Sequence, residues 1–207
     1  MNGDRLHSPA AAKNVDHITE LVCSVSPKNG TALEIASGTG QHIIKLAAVI
    51  PNLTWQPSDI DTARLNSIVS WSFEKQLPNL LPPIKLDVTD EGWSALCPNQ
   101  DLILLVNLLH LVSESEAKVI IDGISKSLMP GGRCVIYGPF MRDGFLTSDG
   151  DKCFHQSLVE ADPDIGYKDD KWMLDMFQNY NLEIVKIANM PANNLAFVIE
   201  KNHLKHS

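Results

Sequence analysis

The chain has 207 residues, of which 44% are hydrophobic and 20% charged, values of an ordinary globular domain long enough for a full core. Its formal net charge of −8 and the lack of any Lys/Arg cluster argue against a nucleic-acid partner, whose binding rests on neutralised phosphates. No signal peptide and no membrane-length apolar run is visible, so the expectation is a cytoplasmic protein without a membrane partner.

Ser8-Pro9 opens the first helix, with Ser8 as cap and Pro9 in the first turn. Val15, Ile18, Leu21, Val22 and Val25 recur at helical spacing and mark a buried face. Pro27, Asn29 and Gly30 end it. Arg5, His7 and Asn14 stand near its start, where the segment 1–27 can serve either as a lid or as a packed helix.

Thr31-Ala-Leu-Glu-Ile-Ala-Ser-Gly-Thr-Gly40 reads as a buried strand and a sharp turn, followed by a helix from Gln41 to about Val49. Gly38 and Gly40 remove side chains where the backbone turns and where a ligand can approach. The helix aims its free N–H groups at that turn, which suits a carboxylate, a phosphate or a ribose. Leu53-Thr-Trp-Gln-Pro-Ser-Asp59 is the next strand. Asp59 at its end, about twenty residues after Gly38, is placed to accept from ribose hydroxyls. An adenosine compound follows, with a dinucleotide such as NAD and S-adenosylmethionine (SAM) as the candidates. The dinucleotide pattern wants a third glycine where Ile43 stands, so the turn fits SAM better.

Asp61 caps a third helix, with Leu65, Ile68, Val69 and Phe73 expected inward and Trp71 off that stripe. Pro83-Ile-Lys-Leu-Asp87-Val-Thr is a short strand. Asp87 can accept from an adenine amino group with the Val88 N–H beside it, or can simply cap a loop. Trp93 either covers the adenine or fills core. Asp101–Val106 is a near-continuous apolar run, as in a central parallel strand. It ends at Asn107, where open α/β sheets bind ligands, with His110 three residues on as base, anchor or structural histidine.

Ser113-Glu-Ser-Glu116 is a capping box. Val119, Ile120, Ile124 and Leu128 form the face of its helix, and Pro130-Gly-Gly132 turns into a strand, Arg133–Gly138. Phe140, Arg142 and Thr147 lead into a polar stretch up to Asp170, read as a substrate-side insert over 141–170. Lys171 to Gln178 is expected to be a helix. Leu182–Ala188 and Leu195–Glu200 read as a hairpin, and the tail 202–207 as disordered. Cys23, Cys97, Cys134 and Cys153 form no metal-spaced pair, and no metal site is expected. Three of them sit in apolar or strand-like surroundings and read as buried reduced thiols.

Alternating strands and helices predict one α/β domain over 1–201 with a doubly wound, mostly parallel sheet. The terminal hairpin favours SAM over a dinucleotide. The segments Ser8-Pro-Ala-Ala, Leu33-Glu-Ile-Ala-Ser-Gly-Thr-Gly-Gln-His42, Trp55-Gln-Pro-Ser-Asp59, Pro130-Gly-Gly132, Tyr137-Gly-Pro-Phe140 and Met190-Pro-Ala-Asn-Asn-Leu195 resemble the class I SAM-dependent methyltransferases, and more closely the methyltransferase-like protein 26 family. The resemblance implies a Rossmann-like, seven-stranded sheet with an antiparallel C-terminal strand and helices on both faces. It implies SAM, and S-adenosylhomocysteine as product, held at Glu34, Gly38, Gly40, Asp59, Asp87 and Asn107, with Ser37, Ile60 and Val88 beside them. It supplies no acceptor. The chain departs from the family at Asp149-Gly-Asp-Lys-Cys-Phe-His155, at Val159 and at Ile165, all on the substrate side.

The resulting expectation is methyl transfer to a small-molecule acceptor. His110 and His155 are base candidates, and Asn14, Tyr137, Phe140 and Asn194 are acceptor contacts. A non-catalytic SAM sensor or assembly subunit, and a protein methyltransferase, are the alternatives. The sequence leaves oligomeric state open.

Overall fold

The computed structural model describes residues 5–202. Its centre is one seven-stranded sheet in the order β3-β2-β1-β4-β5-β7-β6. The strands are β1 Gly30–Ile35, β2 Leu53–Asp59, β3 Ile84–Lys85, β4 Gln100–Val106, β5 Leu128–Pro139, β6 Leu182–Asn189 and β7 Asn194–Lys201. β7 alone runs against the others, pairing antiparallel with both β5 and β6. This is the mostly parallel sheet with a reversed hairpin strand that the alternation and the resemblance implied.

Six α-helices cover the sheet among the described residues: α1 Pro9–Val25, α2 Gln41–Val49, α3 Thr62–Lys75, α4 Glu114–Ser127, α5 Asp149–Ala161 and α6 Asp170–Asn179. Side chains alternate across each strand, and this period of two sorts the core into layers. Ala32, Leu102, Leu104, Val135 and Val198 face Ile18, Val22, Ile43, Leu46 and Ile68 of α1–α3. Leu33, Ile103, Leu105, Ile136 and Phe197 face Ile120, Ile124, Met173 and Phe177 of α4 and α6. β4 is apolar on both sides because both of its sides are covered.

Local signals act as the sequence suggests at several ends. The Ser8 hydroxyl accepts from the Ala11 N–H with Pro9 opening α1, and Asp61 accepts from the N–H groups of Ala63 and Arg64 at α3. The Ser113–Glu116 capping box closes in both directions. The Pro130-Gly-Gly132 turn is absorbed into β5 as an irregularity, since Leu128 pairs with Gln100 while Arg133 pairs with Leu102.

Other expectations are corrected. α1 belongs to the core and is not a separate lid: Ile18 and Val22 are fully buried and Val15 is only half-buried. On α3, Val69 and Phe73 face solvent, Phe73 with 75% exposure, while Ser67 and Ile68 form the buried contact. α3 lies over the end of the sheet where β3 is only two residues long, so there is little surface for a wider stripe to cover. Trp71 is half-buried: the Arg5 guanidinium stands 5.0 Å from its ring centre and the His7 ring 5.1 Å away. Cys97 and Cys134 are buried, whereas Cys23 and Cys153 are exposed, so two thiols rather than three are enclosed. The insert contains a helix, α5, that the periodicity did not reveal because it buries no residue. Of the tail 202–207 expected to be disordered, 203–207 lie outside the described residues. No helix among the described residues is long and apolar enough to cross a membrane.

Trp93 is core, packed against α4 at Gly123, where an added Cβ would run into the indole. Alanine in mid-helix favours folding over glycine by about 1 kcal/mol, but overpacking costs about 1–3 kcal/mol. Gly123→Ala is therefore expected to lower the unfolding free energy in urea titration. An increase would show that the indole gives way freely.

Candidate functional site

β1 and β4 lie side by side, and the chain leaves them toward opposite edges of the sheet. The crevice at their C-terminal ends is the topological switch point, where open α/β sheets receive ligands. Two cavities open there. The inner one, about 210 Å³, is lined by Glu34, Ala36, Ser37, Gly38 and Thr39 from the β1 end, with Ala10, Ala11, His42, Arg64, Asn107 and Leu111 around them. The outer one, about 480 Å³, is walled by Asn14, His110, Tyr137, Asp151, Phe154, Tyr167 and Asn194, among others. Ala10, Asn107 and Leu111 line both, so the cavities adjoin.

The turn between β1 and α2 is tied to β2. Ser37 donates its N–H to the Ser58 carbonyl at 2.7 Å and accepts the Ser58 N–H on its hydroxyl at 3.2 Å. The Gly38 N–H donates to Asp59 Oδ2 at 2.9 Å. Ala36, Gly38 and Gly40 all have positive φ, at 51°, 56° and 90°. Gly40 must stay bare because a Cβ would press on Ile68, whereas the space at Gly38 is open. No side chain caps α2, whose N-terminus faces this turn.

Glu34 is 1% exposed, and its Oε2 has no hydrogen-bond partner. Burial pushes its carboxyl up to about 8; the Ser37 side chain pulls it down and the Asp59 charge pushes it further up. His42 Nε2 lies 2.8 Å from Asn14 Oδ1, and burial pushes its imidazole down to about 4. Asn14 and Tyr137 both line the outer cavity, and burial raises the pKa of the Tyr137 hydroxyl. His110 is also pushed down to about 4, by burial and then by the Lys168 ammonium.

The family model for "Protein of unknown function (DUF938)" matches residues 5–201. This chain belongs to the DUF938 family. The fold of this DUF938 chain is similar to that of an O-methyltransferase family protein from Burkholderia thailandensis, with a TM-score of 0.80 at 16% identity over 95% of this chain and 57% of that one. A putative O-methyltransferase from Nostoc punctiforme PCC 73102 gives 0.80 at 18% identity, over 93% and 57%. Human N-acetylserotonin methyltransferase in complex with SAM gives 0.76 at 14%, over 94% and 53%. The DUF938 chain spans a little over half the length of these proteins, and at such identities the likeness establishes the fold.

Within the DUF938 chain the expected residues separate. Glu34, Ser37, Gly38 and Asn107 line the inner cavity, and Asn14, Asn107, His110, Tyr137 and Asn194 the outer one. Gly40, Asp59, Ile60, Asp87 and Val88 line neither. Asp59 differs from the expected free ribose acceptor. Its two oxygens accept from the Gly38 and Asp61 N–H groups, with Arg64 at 3.7 Å, so the carboxylate organises the turn. Asp87 Oδ1 accepts from the Thr89 N–H and hydroxyl, a turn cap, and Val88 is core. Ile60 is exposed at the end of β2.

Two site expectations are overturned. Phe140 is buried edge-on against Phe197, 5.0 Å between ring centres, so it is core and not an acceptor contact. His155 Nδ1 accepts the Tyr167 N–H at 3.1 Å, which makes it a loop fastener outside both cavities and not a base. Of the N-terminal trio, Arg5 and His7 pack on Trp71, and only Asn14 faces the site. Sequence reading missed His42, Asp151, Tyr167 and Lys168. His42 follows the glycine turn directly and was findable; Asp151 and Tyr167 reach the outer cavity, and Lys168 its buried place outside the lining, only through long-range packing.

Glu34 binds its proton more tightly folded than unfolded, so stability falls as pH rises from its ordinary 4.5 toward about 8. His42 and His110, held neutral, act in the opposite sense but only below their ordinary 6.5. From pH 6.5 to 8, with no ligand added, the unfolding free energy is expected to drop by at most about 1.4 kcal/mol per pH unit through Glu34. Glu34→Gln should flatten that slope in denaturant titrations; an unchanged slope would place its origin elsewhere.

Proposed function

We propose that this chain is a SAM-dependent methyltransferase acting on a small molecule. The carrying observation is the Glu34 carboxyl, buried with an unpartnered oxygen, beside the uncapped N-terminus of α2. One side of the inner cavity thus suits an ammonium and the other a carboxylate, the two ends of an amino acid. SAM carries both, and a structural neighbour of the same fold is described in complex with it. The resemblance of the sequence motifs to methyltransferase-like protein 26 supports the same reading.

Glu34 would hold the amino group and the first turn of α2 the carboxylate, with open space at Gly38 for close approach. Ile60 and Asp87, at the open ends of β2 and of the β3 segment, would take the adenosine side. SAM supplies a methyl group already activated on a sulfonium. The chain's task is to align the acceptor with that methyl and to exclude water. Asn107, Ala10 and Leu111, shared by both cavities, form the passage between cofactor and acceptor.

Calorimetric and thermal-shift titration with SAM and with S-adenosylhomocysteine tests this. At a hundred times Kd, either ligand should add about 2.7 kcal/mol of stability, raising Tm by about 5–10 °C. An ammonium on Glu34 must displace its proton, so between pH 5.5 and 7 the affinity should rise about tenfold per pH unit. Glu34→Gln should abolish that dependence. No shift with either ligand would reject the reading; binding without pH dependence would remove Glu34 from the ammonium.

A further inference from the structure

We propose that the acceptor is a small apolar carboxylate, converted to its methyl ester without a proton-abstracting group from the protein; this rests on the methyltransferase reading above. Two independent features of the outer cavity carry it.

The first is charge. Lys168 is 5% exposed, and its ammonium donates to the carbonyls of Val112 at 2.7 Å and Gly166 at 3.0 Å. Among the described residues no carboxylate pairs with it; Glu114 and Glu116 act only through the longer-range field. This buried ammonium without a counter-ion is joined through Gly166, whose N–H donates to the His110 carbonyl at 3.1 Å, to the His110 side of the cavity, and makes that side positive. Lys13 adds a second cation on the lining.

The second is the lack of a base. The titratable groups on the lining are Lys13, His110, Tyr137, Asp151 and Tyr167. Asp151 accepts from the Tyr167 hydroxyl at 3.2 Å, from Ser148 Oγ at 2.7 Å and from Asn193 Nδ2 at 3.0 Å, so its oxygens are engaged. His110 packs edge-on to Phe154 and Tyr167 with the Lys168 charge nearby, an arrangement that resists imidazolium. Tyr137 and Tyr167 are held protonated by burial. An alcohol, phenol or thiol would have to lose a proton here, and an amine would end as a cation near Lys168. A carboxylate has no proton to lose.

The reaction balances without a base. The carboxylate oxygen bonds the methyl carbon as that carbon's bond to sulfur breaks, and the electron pair goes to sulfur. One negative and one positive charge disappear, giving a neutral ester and a thioether, which a water-excluding apolar wall favours.

The test uses the full chain with methyl-tritiated SAM, after SAM binding is measured by calorimetry. The acceptors are benzoate, phenylacetate and octanoate, against phenol, catechol and benzylamine, together with a total small-molecule cell extract. Mild alkali releases ester methyl as volatile methanol and leaves ether and amine methyl in place. The expected result is alkali-labile label with a kcat flat from pH 6.5 to 8 at saturating SAM. Lys13→Glu should raise the KM for the carboxylate about tenfold with SAM affinity unchanged. Alkali-stable label, or no label from any acceptor or the extract although SAM binds, overturns the carboxylate and leaves the cofactor reading standing. Failure to bind SAM overturns both.

Discussion

The hydrogen bond from the Gly38 N–H to the buried Asp59 carboxylate holds the end of β1 to the end of β2. Two further bonds between Ser37 and Ser58 reinforce it. Three positive-φ positions within five residues of this turn, at Ala36, Gly38 and Gly40, would be unstable in a free loop. They persist because the neighbouring strand supplies the acceptors. The turn sets where α2 begins, and hence where its free N–H groups point. It also sets where Glu34 is left without a partner.

Around this turn the buried ionisable groups are arranged by charge type. Glu34 is kept protonated by burial, His42 is kept neutral and bonded to Asn14, and Asp59 stays beside Arg64 and backbone donors. Lys168 carries a positive charge under the outer cavity, fastened by two carbonyls. An unpartnered buried polar atom costs about 1–3 kcal/mol. An inner cavity with one unmatched acid, next to an outer one with an unmatched ammonium, has the polarity of a site for two different ligands.

The collar over the outer cavity shows how such a site can be closed cheaply in sequence terms. α5 buries no residue. It is held by Asp151 to Tyr167 and Asn193, by His155 to the Tyr167 backbone, and by the packing of Phe154 against His110 and Tyr167. These contacts are polar or at the rim, so they leave no apolar stripe in the sequence. The one local signal is the cap, in which the Ser148 hydroxyl accepts the Asp151 N–H.

The sequence by itself determined the elements whose signals are local. β2 runs Leu53–Asp59 and α2 starts at Gln41, because alternation, glycine placement and caps act over a few residues. It also determined that Glu34, Gly38 and Asn107 would meet, since strand ends in an alternating α/β chain gather at one edge. Only the tertiary structure decided which polar groups are free and which are engaged. Asp59 and His155 have the residue types of a ligand acceptor and a base, yet Asp59 already accepts from Gly38 and Asp61, and the His155 Nδ1 lone pair is taken by the Tyr167 N–H. Phe140 and Phe73 are equally apolar, but one lies under β7 and the other over a sheet end with nothing to cover. Lys168 became a buried charge through Val112, fifty-six positions away. A hydrogen bond or a burial partner at such separation has no local periodicity, so it can be read only once the chain has folded.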